Sequence, residues 1–321
     1  MRIVRGLPRP ELIDGPRPVV TIGNFDGVHQ GHKALLNRAV KRAREISGTS
    51  VAITFDPHPK SVIGHGSPPL ITTTAQKIDL VAELGIDVLI IIPFDRDFAA
   101  MDAAAFIQHV LYEGTGLVEL VVGYDFRFGK GGVGHYDLLF EEGKRLGFQV
   151  DQEGVTQIGG QVISSSLIRK LLQAGDMEEV RLYLGRDYFI DGAVIRGQSR
   201  GKDLGFPTAN LDPVNPIIPP GGIYATWVEL DEGDADQCFY YGAANIGYNP
   251  TFGDNPLSVE VFLLDFDGDL YGKTLRLHFT KRLRDEVKFA DVDELIAQMT
   301  RDVEDVRALF KRHKVPLERR R

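Results

Sequence analysis

Cysteine is almost missing from this sequence. The 321 residues include one, Cys238. No internal disulfide can form, and a reducing, cytosolic compartment is expected. Long apolar runs are missing as well. Nothing approaches about 18 consecutive apolar residues, and the opening MRIVRGLPRP has no apolar signal core. Neither a secretory nor a membrane protein is expected. Positive charge is not in excess: 37 Lys and Arg stand against 45 Asp and Glu, a net charge of −8. The chain as a whole is not a polyanion binder, and nucleic acid is not an expected partner. Local basic patches can still hold a small phosphate ligand. Internal repeats and low-complexity tracts are lacking too. What remains is a globular composition, 43% hydrophobic and 26% charged, in a chain long for one core, so two domains are expected.

The first half alternates short apolar runs with helical patterns. PVVTIG, VAITF, DVLIIIPF and LVELVVG read as strands. KALLNRAVKRAREI reads as a helix with Leu36, Ala39, Val40 and Ala43 on one face. In TTTAQKIDLVAELG, Thr73 and Gln76 fit a capping box and Gly85 a stop. DAAAFIQHVLYEG is a further helix. This alternation predicts a parallel sheet with helices on both faces and ligand loops at the strand C-terminal ends. Beyond the helix MEEVRLYLG the pattern changes to short strands broken by Gly, Pro and Asn, then a closing helix in DVDELIAQMTRDVEDVRALFKRH. That predicts a small antiparallel β-barrel with a terminal helix. The domains are placed at residues 1–186 and 187–321.

One stretch invites a misreading. Gly129, Gly131 and Gly134 spell G-x-G-x-x-G, with Asp151 and Glu153 about 20 residues on. A dinucleotide fold places its first glycine at the strand end. Here Tyr124 to Phe128 intervene, so a bound dinucleotide cofactor is not expected. P-loop chemistry is excluded too. GQSRGKD has one residue too few between its glycines and Asp203 in place of Ser or Thr, and GKGGVG is followed by His135 and Tyr136.

The strongest signal of the first half is TIGNFDGVHQGHKALL, where His29-x-Gly31-His32 lies between a strand and a helix. Gly23, Gly27 and Gly31 let the backbone approach phosphates. The following helix offers N–H groups and a positive dipole end to an anion. Two histidines three residues apart can converge on a phosphate that gains charge. A metal pair or two incidental loop histidines are the alternatives, and no third ligand with good spacing stands nearby.

GNFDGVHQGH resembles the H-x-G-H signature of the nucleotidylyltransferase superfamily, and more narrowly the adenylyltransferase half of the bacterial bifunctional riboflavin kinase/FAD synthetases. FDPHP, GYDFRFGKG and ISSSLIRKLL fall in that family's order, and the resemblance covers nearly the whole chain. It implies a Rossmann-like first domain that transfers the adenylyl group of ATP to FMN, with pyrophosphate leaving. His29 and His32 would stabilise the charged phosphates. Asn24, Phe25 and Asp26 would shape the nucleotide pocket, and Asp125 would face nucleotide or flavin. Arg169 would clamp phosphate, with Ser165 and Ser166 beside it. Ser166 stands where the family usually has threonine. Gly132 and His135 also depart from the usual loop.

In the second half, Pro207-Thr208-Ala209-Asn210 resembles the P-T-A-N motif of riboflavin kinases. GGIYA, NIGYNPTFG, SVEVFLLDFDGDLYG and RLRDEVKF follow in order. The resemblance implies that Thr208 and Asn210 hold Mg²⁺-ATP, with Lys202, Gly205 and Pro207 in the nucleotide loop. Glu260 would take the proton from the riboflavin 5′-hydroxyl. Arg284 and Phe289 would touch flavin. Read alone, PTAN is also compatible with a turn. The family commonly has histidine two residues after the glutamate; this chain has Phe262. The expected ligands are therefore ATP with Mg²⁺, riboflavin, FMN and FAD. The alternatives are a non-catalytic flavin-binding regulator and an adenylyltransferase for another phosphorylated acceptor. On the favoured reading the protein makes a dinucleotide and does not carry one.

Overall fold

The computed structural model describes residues 1–64, 66–197, 201, 204–231, 237–248 and 257–312. The chain divides into two compact units, Met1–Ser165 and Ser166–Arg321.

The first unit is built on a six-stranded, wholly parallel sheet with strand order β1-β4-β3-β2-β5-β6. The strands are β1 (Arg2–Arg5), β2 (Pro18–Ile22), β3 (Thr49–Asp56), β4 (Val88–Pro93), β5 (Glu119–Gly123) and β6 (Gln149–Glu153). The four central strands are those legible as apolar runs. The two edge strands are short and carry the polar sequences RIVR and QVDQE, which is why the apolar pattern does not reveal them.

Side chains alternate across the sheet. Val20, Ile22, Ile53, Ile90 and Val122 join a core with Ile107, Val110, Leu111 and Leu139. The last four come from helix α3 (residues 103–115, π-helical over Phe106–Tyr112) and helix α4 (Tyr136–Leu146). The intervening Val19, Ala52, Leu89 and Val121 are fully buried on the opposite face. There helix α1 (Gln30–Glu45) packs on β2, β3 and β5, burying Leu36, Ala39, Val40 and Ala43. Helix α2 (Thr74–Glu83) starts at the expected capping box: Thr73 Oγ1 accepts from Gln76 N at 3.2 Å, and Gln76 Oε1 accepts from Thr73 N at 3.0 Å.

Because β2 pairs with β3 on one side and β5 on the other, the winding direction reverses at β2. The loops after β2 and β5 therefore flank the crevice where such sheets take ligands.

A two-stranded ribbon, β7 (Gln157–Ile158) and β8 (Gln161–Val162), precedes helix α5 (Ser165–Ala174) and helix α6 (Met177–Leu184). The second unit is a closed antiparallel barrel in the order β10-β13-β12-β11-β14-β9. Its strands are β9 (Tyr188–Ile195), β10 (Thr208–Pro213), β11 (Gly222–Asp231), β12 (Gln237–Tyr248), β13 (Leu257–Leu263) and β14 (Thr274–Arg284). Cross-strand pairs Val228↔Leu277, Leu230↔Leu275, Ala244↔Val261 and Ile246↔Val259 fill its interior. The final helix, α7 (Val292–Arg312), lies on the outer face, where Val306 and Phe310 pack with Ala225 and Leu264. The Phe310 ring stacks on Tyr241 with centroids 4.3 Å apart. No helix among the described residues is long and apolar enough to cross a membrane.

Candidate active sites

The loop from β2 to α1 is a tight, strained structure. Phe25 and Val28 have positive φ, 49° and 40°, although neither is glycine and both are fully buried. Strain of this kind clusters where surrounding contacts over-determine the backbone. Asp26 supplies those contacts: Oδ1 accepts from Ile71 N at 3.0 Å and Thr72 N at 3.2 Å. Gly27 N donates to Thr72 Oγ1 at 3.1 Å, and Ser165 Oγ donates to Asp26 O at 3.0 Å. Asp26 and Ser165 thus hold the loop in shape. Gly27 takes φ 83°, and a Cβ on Gly23 would come 2.9 Å from the Phe25 ring.

The loop delivers two histidines to the start of α1. His29 is the N-cap, and its Nδ1 accepts from His32 N at 3.3 Å. An Nδ1 that accepts in a neutral ring leaves the proton on Nε2. The two imidazoles stack with centroids 3.6 Å apart, and Phe25 meets His32 edge-on at 5.5 Å. A Cβ on Gly31 would lie 3.2 Å from the His29 ring, so this glycine makes room for the histidine itself. His32 Nδ1 is buried without a hydrogen-bond partner among the described residues. Burial, then the neighbouring His29 and Lys77, hold the His32 pKa well below the ordinary histidine value. The site therefore presents a neutral imidazole beside a helix N-terminus.

Lys77 is a residue that reading the sequence passes over. It is buried on α2, and Nζ donates to Asn24 O at 3.3 Å, Thr54 Oγ1 at 3.2 Å and Phe55 O at 3.3 Å. It thereby ties the ends of β2 and β3 together. Burial lowers its pKa, against the opposing pull of Asp26 and Asp56. The available signal was a lysine sharing the buried face of an amphipathic helix with Leu80 and Val81.

Across the crevice, Asp125 is exposed just after β5. Two of the glycines that follow serve chain packing. A Cβ on Gly129 would strike the Ala103 backbone at 2.8 Å, and one on Gly134 would strike the Phe128 ring at 2.6 Å. Gly131 and Gly132 lie in the left-handed region. Ser166 is exposed in the first turn of α5 and Arg169 is half-buried one turn on; both fall in the second compact unit.

In the barrel, Thr208, Asn210 and Glu260 come together. The turn alternative for PTAN is excluded, because Thr208 opens β10, which pairs with both β9 and β13. Asn210 is the direct cross-strand partner of Glu260. Thr208 Oγ1 donates to Glu260 Oε2 at 3.3 Å. The period of two holds along β13: Val259 and Val261 are buried in the barrel, so Glu260 and Phe262 face outward, beneath α7. Gly197 leaves space for Asn210, since a Cβ there would come 2.1 Å from its amide nitrogen. The turn before β10 closes with Phe206 N donating to Gly201 O at 2.8 Å, and Gly205 adopts φ 85°. Pro207 leads directly into the strand. Lys202 lies outside the described residues.

A cavity of about 260 Å³ opens here between the barrel and α7, lined by Phe206, Thr208, Asn245, Glu260, Phe262, Arg284 and Phe289 among others. Phe262, which stands in place of the family's usual histidine, meets Phe206 edge-on at 5.4 Å and makes an aromatic wall. Arg284 is gripped by Asp302 of α7, with Nε–Oδ1 2.9 Å and an NH2–Oδ2 contact of 2.6 Å. Its guanidinium lies 5.9 Å from the Phe289 ring centroid. Asn245 was not singled out from the sequence. Thr208 and Asn210 offer hydroxyl and amide oxygens, hard donors that fit Mg²⁺ held mainly through phosphates and water.

Comparison with known proteins agrees with this division. The family model described as FAD synthetase matches residues 14–167, and the one described as riboflavin kinase matches residues 184–310. A bifunctional riboflavin kinase/FMN adenylyltransferase of Pseudomonas fluorescens is 37% identical over 312 residues, covering 96% of this chain and 98% of its own. The Bacillus subtilis protein of the same name is 37% identical over 301 residues, covering 92% and 93%. A solved Streptococcus pneumoniae structure, described as a macrolide-efflux protein, superposes with a TM-score of 0.85 at 28% identity, covering 96% of this chain and 99% of that one. Matched in both halves and over nearly its whole length, the chain belongs to the bifunctional riboflavin kinase/FMN adenylyltransferase family, with the adenylyltransferase half first and the kinase half second.

Proposed function

We propose that the family's two reactions, phosphorylation of riboflavin to FMN and adenylylation of FMN to FAD, are carried out here by the two residue groups described above. Residues 187–321 are the kinase domain and residues 1–186 the adenylyltransferase domain, acting in the cytoplasm.

In the kinase half, Glu260 accepts the proton of the riboflavin 5′-hydroxyl. The oxygen attacks the γ-phosphorus of ATP, and ADP leaves. Thr208 and Asn210 would hold Mg²⁺ with ATP, a bound cation that would supply positive charge to the phosphates. Thr208 also orients the Glu260 carboxylate through its hydroxyl. The aromatic wall and Phe289 receive the flavin and exclude water, and Arg284 fixes the helix that closes the cavity. Lys202, Gly205 and Pro207 bind the nucleotide.

In the adenylyltransferase half, a phosphate oxygen of FMN attacks the α-phosphorus of ATP and pyrophosphate leaves. No covalent enzyme intermediate is needed, so positioning and charge stabilisation do the catalysis. His29, His32 and the α1 N-terminus stabilise the developing charge. Gly23 to Gly27 shape the nucleotide pocket, Asp125 faces the substrates, and Ser166 and Arg169 bind phosphate. The observation that carries the reading is the Thr208–Glu260 hydrogen bond at the cavity, with Asn210 directly beside it. Incubation of the purified protein with riboflavin, ATP and Mg²⁺, followed by chromatography, tests it: FMN and then FAD should form. A flavin-binding regulator would return riboflavin unchanged.

A further inference from the structure

Strand register sets three polar side chains in a row on the outer face of the barrel. Asn210 of β10 pairs with Glu260 of β13, and Glu260 pairs in turn with Asn245 of β12. Directly opposed residues project to the same face. Asn210, with Thr208 two residues away, therefore stands on one side of the base and Asn245 on the other. A kinase base must lie within hydrogen-bond reach of the acceptor hydroxyl, which itself faces the phosphoryl donor. With the nucleotide held on the β10 side, Asn245 stands on the acceptor side.

Asn245 lines the cavity; its Oδ1 is buried and has no hydrogen-bond partner among the described residues. None of the described groups that line the cavity supplies one. The Glu260 carboxylate only accepts, Arg284 is bound to Asp302, and Ala243, Ala244 and Phe262 are apolar. The phosphates, the end of the nucleotide that meets the base, are acceptors as well, which turns attention to the donors of the second substrate. Riboflavin carries donors in two places. Its ring imide is at the far end of the molecule from the reacting hydroxyl. Its ribityl hydroxyls begin one carbon away.

We propose that Asn245 is a specificity determinant of the kinase half, its Oδ1 accepting a hydrogen bond from the ribityl hydroxyl next to the one that is phosphorylated. The proposal rests on the kinase reading. A site that pairs a buried acceptor with a substrate hydroxyl rejects the analogue lacking it far more strongly than an apolar pocket can.

The test compares kcat/KM for riboflavin and for its 4′-deoxy analogue in the wild type and in Asn245→Ala, with FAD formation from supplied FMN as the control for folding. The wild type should favour riboflavin by about 100-fold or more. Asn245→Ala should abolish most of that preference by slowing riboflavin, with the analogue changed less than about threefold and KM for ATP unaltered. An equal loss on both substrates, a rise confined to KM for ATP, or a wild type that does not discriminate overturns the proposal. A wild type that phosphorylates neither compound overturns the kinase reading instead, and the proposal with it. If Asn245→Ala loses the FAD control too, Asn245→Ser is read by the same criteria.

Discussion

Asp302→Ala probes how the kinase cavity is closed. Asp302 is buried at mid-length of α7 and receives two charge-assisted bonds from Arg284, at 2.9 and 2.6 Å, and a third from Gln298 at 2.9 Å. The side chains of the ion pair are 21% and 7% exposed, so solvent screens it weakly. Removing one partner of a buried pair leaves an uncompensated charge and costs about 3 kcal/mol or more. That raises the population of states with α7 detached about 150-fold. For a unit of this size it lowers Tm by roughly 6–12 °C. Because Phe289, Leu295 and Met299 on and before α7 line the cavity, KM for riboflavin should rise at least tenfold. FAD formation from supplied FMN should not change, since no residue assigned to that reaction lies on α7. Calorimetry and steady-state assays of both activities decide. A variant with the parental Tm and riboflavin KM would refute the claim that this ion pair holds the cavity closed.

Other consequences are as direct. His32→Ala should fold and make FMN but lose FAD formation by at least about 100-fold; an unimpaired variant would remove His32 from the mechanism. Lys77→Met should depress FAD formation while sparing FMN, and raise the His32 pKa followed by NMR titration, because Lys77 is among the groups that hold it down. His32 and His278 both have folded pKa values below the ordinary histidine value, each chiefly through burial. The unfolded chain then binds more protons, so this stability is complete above about pH 6.5 and declines below it, by about 1.4 kcal/mol per pH unit for each histidine until its folded pKa is passed. Melting curves from pH 8 to pH 5 should show that decline, and His278→Phe should reduce it.

The sequence makes the apolar elements legible and the edges illegible. Core strands such as VAITF and the buried face of α1 are visible because burial selects apolar residues at a fixed period. Strand β1, strand β6 and the ribbon β7–β8 are not, because their side chains are largely exposed. Strand β10 is masked by its own motif: Pro207 and Asn210 read as turn chemistry, yet Pro207 immediately precedes the strand and Pro213 closes it, where no central ladder bond is lost. The histidines and Glu260 are found through motif and alternation. Lys77 and Asn245 are different. The importance of Lys77 lies in partners 22 residues away or more, which the tertiary contacts of α2 reveal, and that of Asn245 in the lack of a partner and in the register of the barrel strands. The G-x-G-x-x-G spacing shows the converse: a motif matched in letters whose first and last glycines answer to local packing against Ala103 and Phe128, and whose middle one, Gly131, answers to a left-handed backbone.

Glu260→Ala tests most directly whether two separate sites carry the two successive reactions. The folded variant is supplied first with riboflavin, ATP and Mg²⁺, then with FMN, ATP and Mg²⁺, and products are resolved by chromatography. FMN formation should vanish while FAD forms from supplied FMN at the parental rate. Loss of both activities together in a folded protein would contradict the two-site account.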